Sequence, residues 1–293
     1  MAIKVGKKSE EGVFKLYKGV GAFNILAVNP SKTELERLTG RTIEEEPVYT
    51  GKDEDGNSFV RVTFYAKTNP EARVNNGIEL LLPISFTLVK ASRVGQQSGN
   101  IQVIDKYGRT AWATPADVEA KAIPQYSGGP ANISADYRPA VRGEEQLVNF
   151  LIKWLNIPGP ANYKDGKWIM KDNPEDSEVE LNLTKMFAGD MSELIEIVHM
   201  AAAYLVKAAV GIRTTDDGKQ YQAVFTRDFV KNAITDYSKL DEAIVSFQNN
   251  GGAPNTEYDV NPLHENVVES TKIVRNEDDD LPPSNNPWDQ FRS

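Results

Sequence analysis

The chain has 293 residues, 40% of them apolar, enough for one large domain or two small ones with a proper core. With no cysteine and only two histidines, His199 and His264, it excludes disulfides, iron–sulfur clusters and thiolate zinc sites. A carboxylate-only site is the one metal option left, and neither metal nor cofactor is expected. The net charge of −9 is uneven: residues 256–293 hold 3 Lys and Arg against 9 Asp and Glu, whereas 1–170 hold 22 against 19, a pattern that suggests a binding surface with a separate acidic tail.

Val20 to Val28 (VGAFNILAV) is a mostly apolar strand. Ser31 with Glu34 then forms a capping box that opens a short helix, and Gly40 ends it. Pro47 to Tyr49 and Ser58 to Ala66 flank Asp53-Glu54-Asp55-Gly56-Asn57, whose Asp-Gly supplies the positive φ of a tight hairpin. Glu44-Glu45-Glu46 just before it reads as a solvated charge run. Ile84 to Val89 alternates as a strand, and Ile101 to Asp105 pairs with Arg109 to Ala113 across Lys106-Tyr107-Gly108.

Thr114-Pro115-Ala116-Asp117 is a capped helix start, and Leu147, Phe150, Leu151, Trp154 and Leu155 share one face of an amphipathic helix. The break at Pro158-Gly159-Pro160 and the polar run to Glu178 read as loop. A helix capped by Asp190, with Glu193 behind it, places His199 on an apolar face as a core histidine. Tyr204 to Arg213 and Lys219 to Thr226 flank Asp216-Asp217-Gly218 as another hairpin, and Ser238 caps a helix that runs through Phe247 to Gly251-Gly252. Beyond Pro254 the apolar density collapses.

The expected fold is mainly β (α+β). It is an OB-like Greek-key barrel over 1–253 with a helical insertion near 114–200, then a linker and disordered acidic tail over 254–293. No stretch approaches ~20 apolar residues and the N-terminus lacks a signal-peptide pattern, so a soluble cytoplasmic protein without membrane contact is expected.

Catalytic motifs are missing. No phosphate-binding loop, nucleophile elbow or zinc-protease helix occurs, and Gly19-Val20-Gly21 lacks the third glycine of a dinucleotide turn. The strand from Ser58 to Ala66 is more informative. If Val60, Val62 and Phe64 face the core, Phe59, Arg61, Thr63 and Tyr65 form an alternate face of rings and a cation. Flat rings accept any base and interleaved cations follow phosphates, as sequence-tolerant single-strand binding requires. Lys15, Tyr17 and Lys18, then Lys106, Tyr107, Arg109 and Trp112, and the loop cations Lys67, Arg73, Lys90 and Arg93 extend the candidate site. Aromatic strands of an ordinary β protein would look much the same.

The run Glu277-Asp278-Asp279-Asp280-Leu281-Pro282 resembles the acidic tip of bacterial single-stranded DNA-binding proteins, and Trp288 and Phe291 resemble its late aromatic anchor. Leu26 to Glu36 (LAVNPSKTELE) resembles the early part of large phage-encoded single-stranded DNA-binding proteins. The resemblance implies a non-catalytic protein that coats single-stranded DNA in phage replication, recombination and repair, in the cytoplasm of an infected bacterial host. It also implies recruitment of replication or recombination proteins through Asp278, Asp279, Asp280, Trp288 and Phe291, with self-association possible. The chain departs from the bacterial pattern by placing Arg292-Ser293 after Phe291. A non-catalytic structural or scaffold-like phage protein is the alternative.

Overall fold

The computed structural model describes residues 14–69, 77–122, 133–134, 136–155, 157, 161–171, 178–215, 218–224, 256–258 and 262–268. Strand β1 (Phe14–Val28) starts six residues before the expected Val20. Ser31 and Glu34 close the capping box on α1 (Lys32–Thr39), and Gly40 ends it in the left-handed region, both as expected. β2 (Thr50–Lys52) and β3 (Ser58–Thr68) form the Asp-Gly hairpin, with the first arm three residues later than expected. β4 (Leu81–Val89), β5 (Ile101–Asp105), β6 (Thr110–Ala113) and α2 (Pro115–Ala120), capped by Thr114, follow the expected order.

The region 114–200 is a mixed insertion and not a helical one. It holds β7 (Tyr137–Pro139), α3 (Glu144–Trp154), β8 (Asn162–Lys164), β9 (Lys167–Lys171), β10 (Glu178–Leu181), α4 (Leu183–Phe187) and α5 (Ser192–Met200). The polar run read as loop contains an Asp165-Gly166 hairpin, with φ of 52° and 82° at the turn. Its polar arms hid it: among the described side chains of the two arms, Trp168 and Met170 are the ones buried. Asp190 Oδ1 accepts from the Ser192 N–H at 3.0 Å, just outside α5, while Glu193 serves another element, accepting from the Asn182 N–H at 2.6 Å. His199 is exposed, contrary to the core placement, because it falls on the outer side of α5 opposite Leu194, Ile197 and Val198.

β11 (Leu205–Thr214) and β12 (Gln220–Val224) make the second expected hairpin, whereas the helix expected over 238–247 lies outside the described residues. β13 (Thr256–Tyr258) and β14 (His264–Val268) correct the expected linker boundary at 254. β1 pairs with β11 only from Gly19 to Asn24, and its first part pairs with β14 instead. Where β1 leaves, β13 joins β11 at Gly211 to Arg213. The side-chain amide of Gln222 ties the divergence together. Its Oε1 accepts from Tyr17 N–H at 2.9 Å, and its Nε2 donates to the carbonyls of Tyr17 and Gly211 at 2.6 and 2.7 Å. Leu263 packs where Gly21 leaves room, since a Cβ there would lie 2.8 Å from the leucine Cδ1.

The large sheet runs β12-β11-β1-β3-β2, with β4 added on β3, and its ladders are antiparallel. It is mainly β as expected, but among the described residues hydrogen bonding does not close it into a barrel. Two three-stranded sheets, β6-β5-β7 and β10-β9-β8, lie beside it. The core forms where α3 covers the inner face of β3 and β4. Phe64, Phe86, Phe150 and Trp154 pack with ring centroids 5.0–6.2 Å apart, each burying apolar area that stabilises the fold by roughly 25 cal/mol per Å². Among the described residues no helix is long and apolar enough to cross a membrane.

Candidate nucleic-acid interface

The β3 platform is largely covered. Val60, Val62 and Phe64 face the core as expected, but on the alternate face Tyr65 is 3% exposed and Thr63 is buried as well. The cause is local: the chain between β1 and β2 folds over that face. Asn29 bonds the backbone of Arg61 and Thr63, and Tyr49 donates to the Pro30 carbonyl at 2.9 Å. No base reaches Tyr65 in this arrangement. Phe59 and Arg61 stay half-exposed at the outer end, with the Phe59 ring laid over Gly51.

This burial gives the protein an alkaline limit. Burial pushes the Tyr65 hydroxyl from an ordinary 10.0 up to about 12, and burial likewise raises Tyr49. Between those two values the unfolded chain binds fewer protons than the folded one. Stability is therefore full below the ordinary tyrosine value and falls as pH rises towards the folded one, by up to about 3 kcal/mol for Tyr65. Alkaline unfolding followed by tyrosinate absorbance should begin in that window, and Tyr65→Phe should flatten the pH dependence there. An unchanged slope in that variant would refute the assignment.

The other candidates separate into groups. Lys15 is ion-paired with Glu265 at 2.8 Å, Tyr17 is 8% exposed and Lys18 is half-buried, all on the part of β1 that β14 covers. Tyr17 therefore offers no stacking surface. Lys67 pairs with Glu79 at 2.7 Å at one end of the β3–β4 ladder, whereas exposed Lys90 lies at the other. At about 3.3 Å per residue these two stand roughly 30 Å apart, too far to act on one phosphate. Arg73 and the tail residues Asp278, Asp279, Asp280, Trp288 and Phe291 lie outside the described residues.

What the fold does assemble is the β5–β6 hairpin. Tyr107 at its tip is 39% exposed, with the cationic groups of Lys106 and Arg109 at 5.4 and 5.1 Å from the ring centroid. Buried Asp105 holds this tip. Its carboxylate accepts from the N–H groups of Tyr107 (2.9 Å), Arg109 (3.0 Å) and Ser134 (2.8 Å), and from the Arg109 guanidinium at 2.7 and 2.6 Å. Farther along the hairpin Trp112 is half-exposed, and the Arg93 guanidinium sits 5.8 Å from its ring.

Sequence reasoning missed the neighbouring residues. The Tyr163 N–H donates to the Lys106 carbonyl at 2.8 Å, joining the β8–β9 hairpin to the tip, and Arg138 lies 3.8 Å from the Tyr163 ring centroid. Fully buried Glu144 positions Arg138. It ion-pairs with both guanidinium nitrogens and also accepts from the Val141 N–H (3.0 Å) and Trp168 Nε1 (2.7 Å). Gly143 before it has φ 85°, and a Cβ there would meet the Thr87 carbonyl at 2.2 Å. The Asp165-Gly166 turn was the available signal for Tyr163 and exposed Lys164.

Neighbouring acids offset part of the positive charge on the joined hairpins: Asp136 pairs with Lys106 and Glu180 with Lys167. The arrangement thus supplies rings and local cations. No protein-family model, curated protein or solved structure matches the chain.

Proposed function

We propose that this chain is a non-catalytic single-stranded DNA-binding protein of phage replication, recombination and repair, acting in the cytoplasm of the infected bacterium. In this reading the acidic tail recruits replication or recombination enzymes. The observation that carries the reading is the β5–β6 hairpin, where exposed Tyr107 stands between two cations and half-exposed Trp112 beside a third. Rings of this kind stack on any base at about 1–3 kcal/mol each, and the cations follow the backbone. An OB-like plan is consistent with the sheet: β4 and β12 approach each other at a small apolar gap lined by Phe23, Ala66, Leu82, Ile84, Ala208 and Val224, as the edges of a partly open barrel would.

Tryptophan fluorescence tests the proposal. Of four tryptophans, Trp154 and Trp168 are buried and Trp288 lies in the tail, so quenching on adding an oligonucleotide reports mainly on Trp112. Binding should weaken steeply as salt rises. Tyr107→Ala and Trp112→Ala should each lower affinity by about 1–3 kcal/mol. Indifference to salt, or unchanged affinity in both variants, would favour the structural reading. That alternative has its own observation in the exposed Ile195, Met200, Tyr204 and Leu205 around the end of α5.

A further inference from the structure

Resting on that reading, we infer that the bound strand continues from Trp112 across Arg142 to Phe59, with Arg142 as a phosphate-binding residue and Phe59 as a second stacking ring. The route is built into the backbone. The segment 89–93 lies between the two sheets: Phe59 pairs with Val89, Val89 bridges to Arg142, and the Arg142 N–H donates to the Ala91 carbonyl at 3.0 Å. Two residues on, the Arg93 carbonyl accepts from the Gln102 N–H at 2.9 Å, and Gln102 is the cross-strand partner of Trp112.

Partners in antiparallel ladders point to the same side. Gly51, Phe59, Val89 and Arg142 therefore form one row on the face that also bears Arg61. Phe59 and Arg142 are two strand spacings apart, roughly 10 Å, which is about three nucleotides at the ~3.4 Å rise of a stacked strand. The absence of a side chain on Gly51 leaves room for the Phe59 ring, since a Cβ there would lie 2.8 Å from its Cε1 and Cζ. Among the described residues neither Arg61 nor Arg142 has an ion-pair partner, and Arg142 only senses the Asp53 carboxylate through space. That contrasts with Lys15, Lys67, Lys106, Arg109 and Arg138, all of which are paired. The acidic turn at Asp53, Glu54 and Asp55 bounds the path beyond Gly51.

The experiment compares oligonucleotides of about four and about sixteen nucleotides, the span of site sizes such proteins use. Phe59→Leu keeps apolar packing on Gly51 and removes the ring, while Arg142→Gln removes a charge whose backbone bonds remain. The double variant should bind the long oligonucleotide at least about tenfold more weakly. Its slope of log affinity against log salt should be shallower by about 0.7, the share of one phosphate contact on a single strand. Binding of the short oligonucleotide should be unchanged. Arg142→Gln alone should reproduce the change in slope, which guards against a folding defect at Phe59.

Unchanged long-oligonucleotide affinity and slope, in a protein that Tyr107→Ala still weakens, would overturn the path and leave the functional proposal standing. Equal losses on both lengths would overturn it as well, because the site would then be single and compact. Failure of the unsubstituted protein to bind either length would overturn the functional proposal itself.

Discussion

Replacing Glu144 with alanine should cost about 3–5 kcal/mol of folding stability, the range for breaking a buried ion pair by removing one partner. The carboxylate is fully buried and satisfies the Arg138 guanidinium, the Val141 N–H and the Trp168 indole N–H together. Its loss leaves the buried Trp168 indole N–H and the part-buried Val141 N–H without their acceptor, and leaves the Arg138 guanidinium only the Pro139 carbonyl. Glu144→Gln retains shape and part of the hydrogen bonding and should lose less. Urea unfolding followed by circular dichroism measures both. A loss under about 1 kcal/mol in the alanine variant, close to that of an ordinary surface substitution, would show that this carboxylate does not anchor the junction of α3 with β9.

Asp105→Ala should have the next largest effect, about 3 kcal/mol, at the lower end of the same range because Arg109 is 46% exposed and water can take over its charge. The substitution acts on function too. Without the carboxylate, the Tyr107 and Arg109 N–H groups lose the acceptor that shapes the turn, and the ring–cation arrangement at the tip loosens. Amide exchange at Tyr107 and Arg109 should accelerate by orders of magnitude, and oligonucleotide affinity should fall along with it. Fast exchange with unaltered affinity would separate the hairpin tip from the binding surface and count against the proposed function.

The two carboxylates explain why much of the site was hard to find from the chain. Asp105 reads as the last residue of a strand and Glu144 as an ordinary first-turn acid of a helix. Each is recognisable as an anchor only once Ser134 or Trp168, distant in sequence, donates to it. Tyr65 fails in the opposite sense. Alternation correctly puts it on the face away from Phe64, yet alternation carries no information about what covers that face, and here Tyr49 and the segment following β1 do. Tyr107 and Trp112 were legible because a hairpin tip and its flank project into solvent by local geometry alone.

By itself the sequence determined what short-range chemistry controls. The Ser31 capping box, the stop at Gly40, the Asp-Gly hairpin before β3, the β5–β6 hairpin and the apolar stripe of α3 all depend on φ preferences and spacings within a few residues. Only the tertiary structure decided which sheet faces stay open, that the ladders among the described residues leave the large sheet unclosed, and that β13 and β14 return to it from 256–268. Those outcomes depend on long-range pairing: Leu263 needs the space beside Gly21, and β13 needs the edge of β11 that β1 vacates. In the β1–β14 ladder, residues about 250 positions apart meet. Pairing at that separation is set by which buried groups find partners, a condition of the folded whole that no local pattern carries.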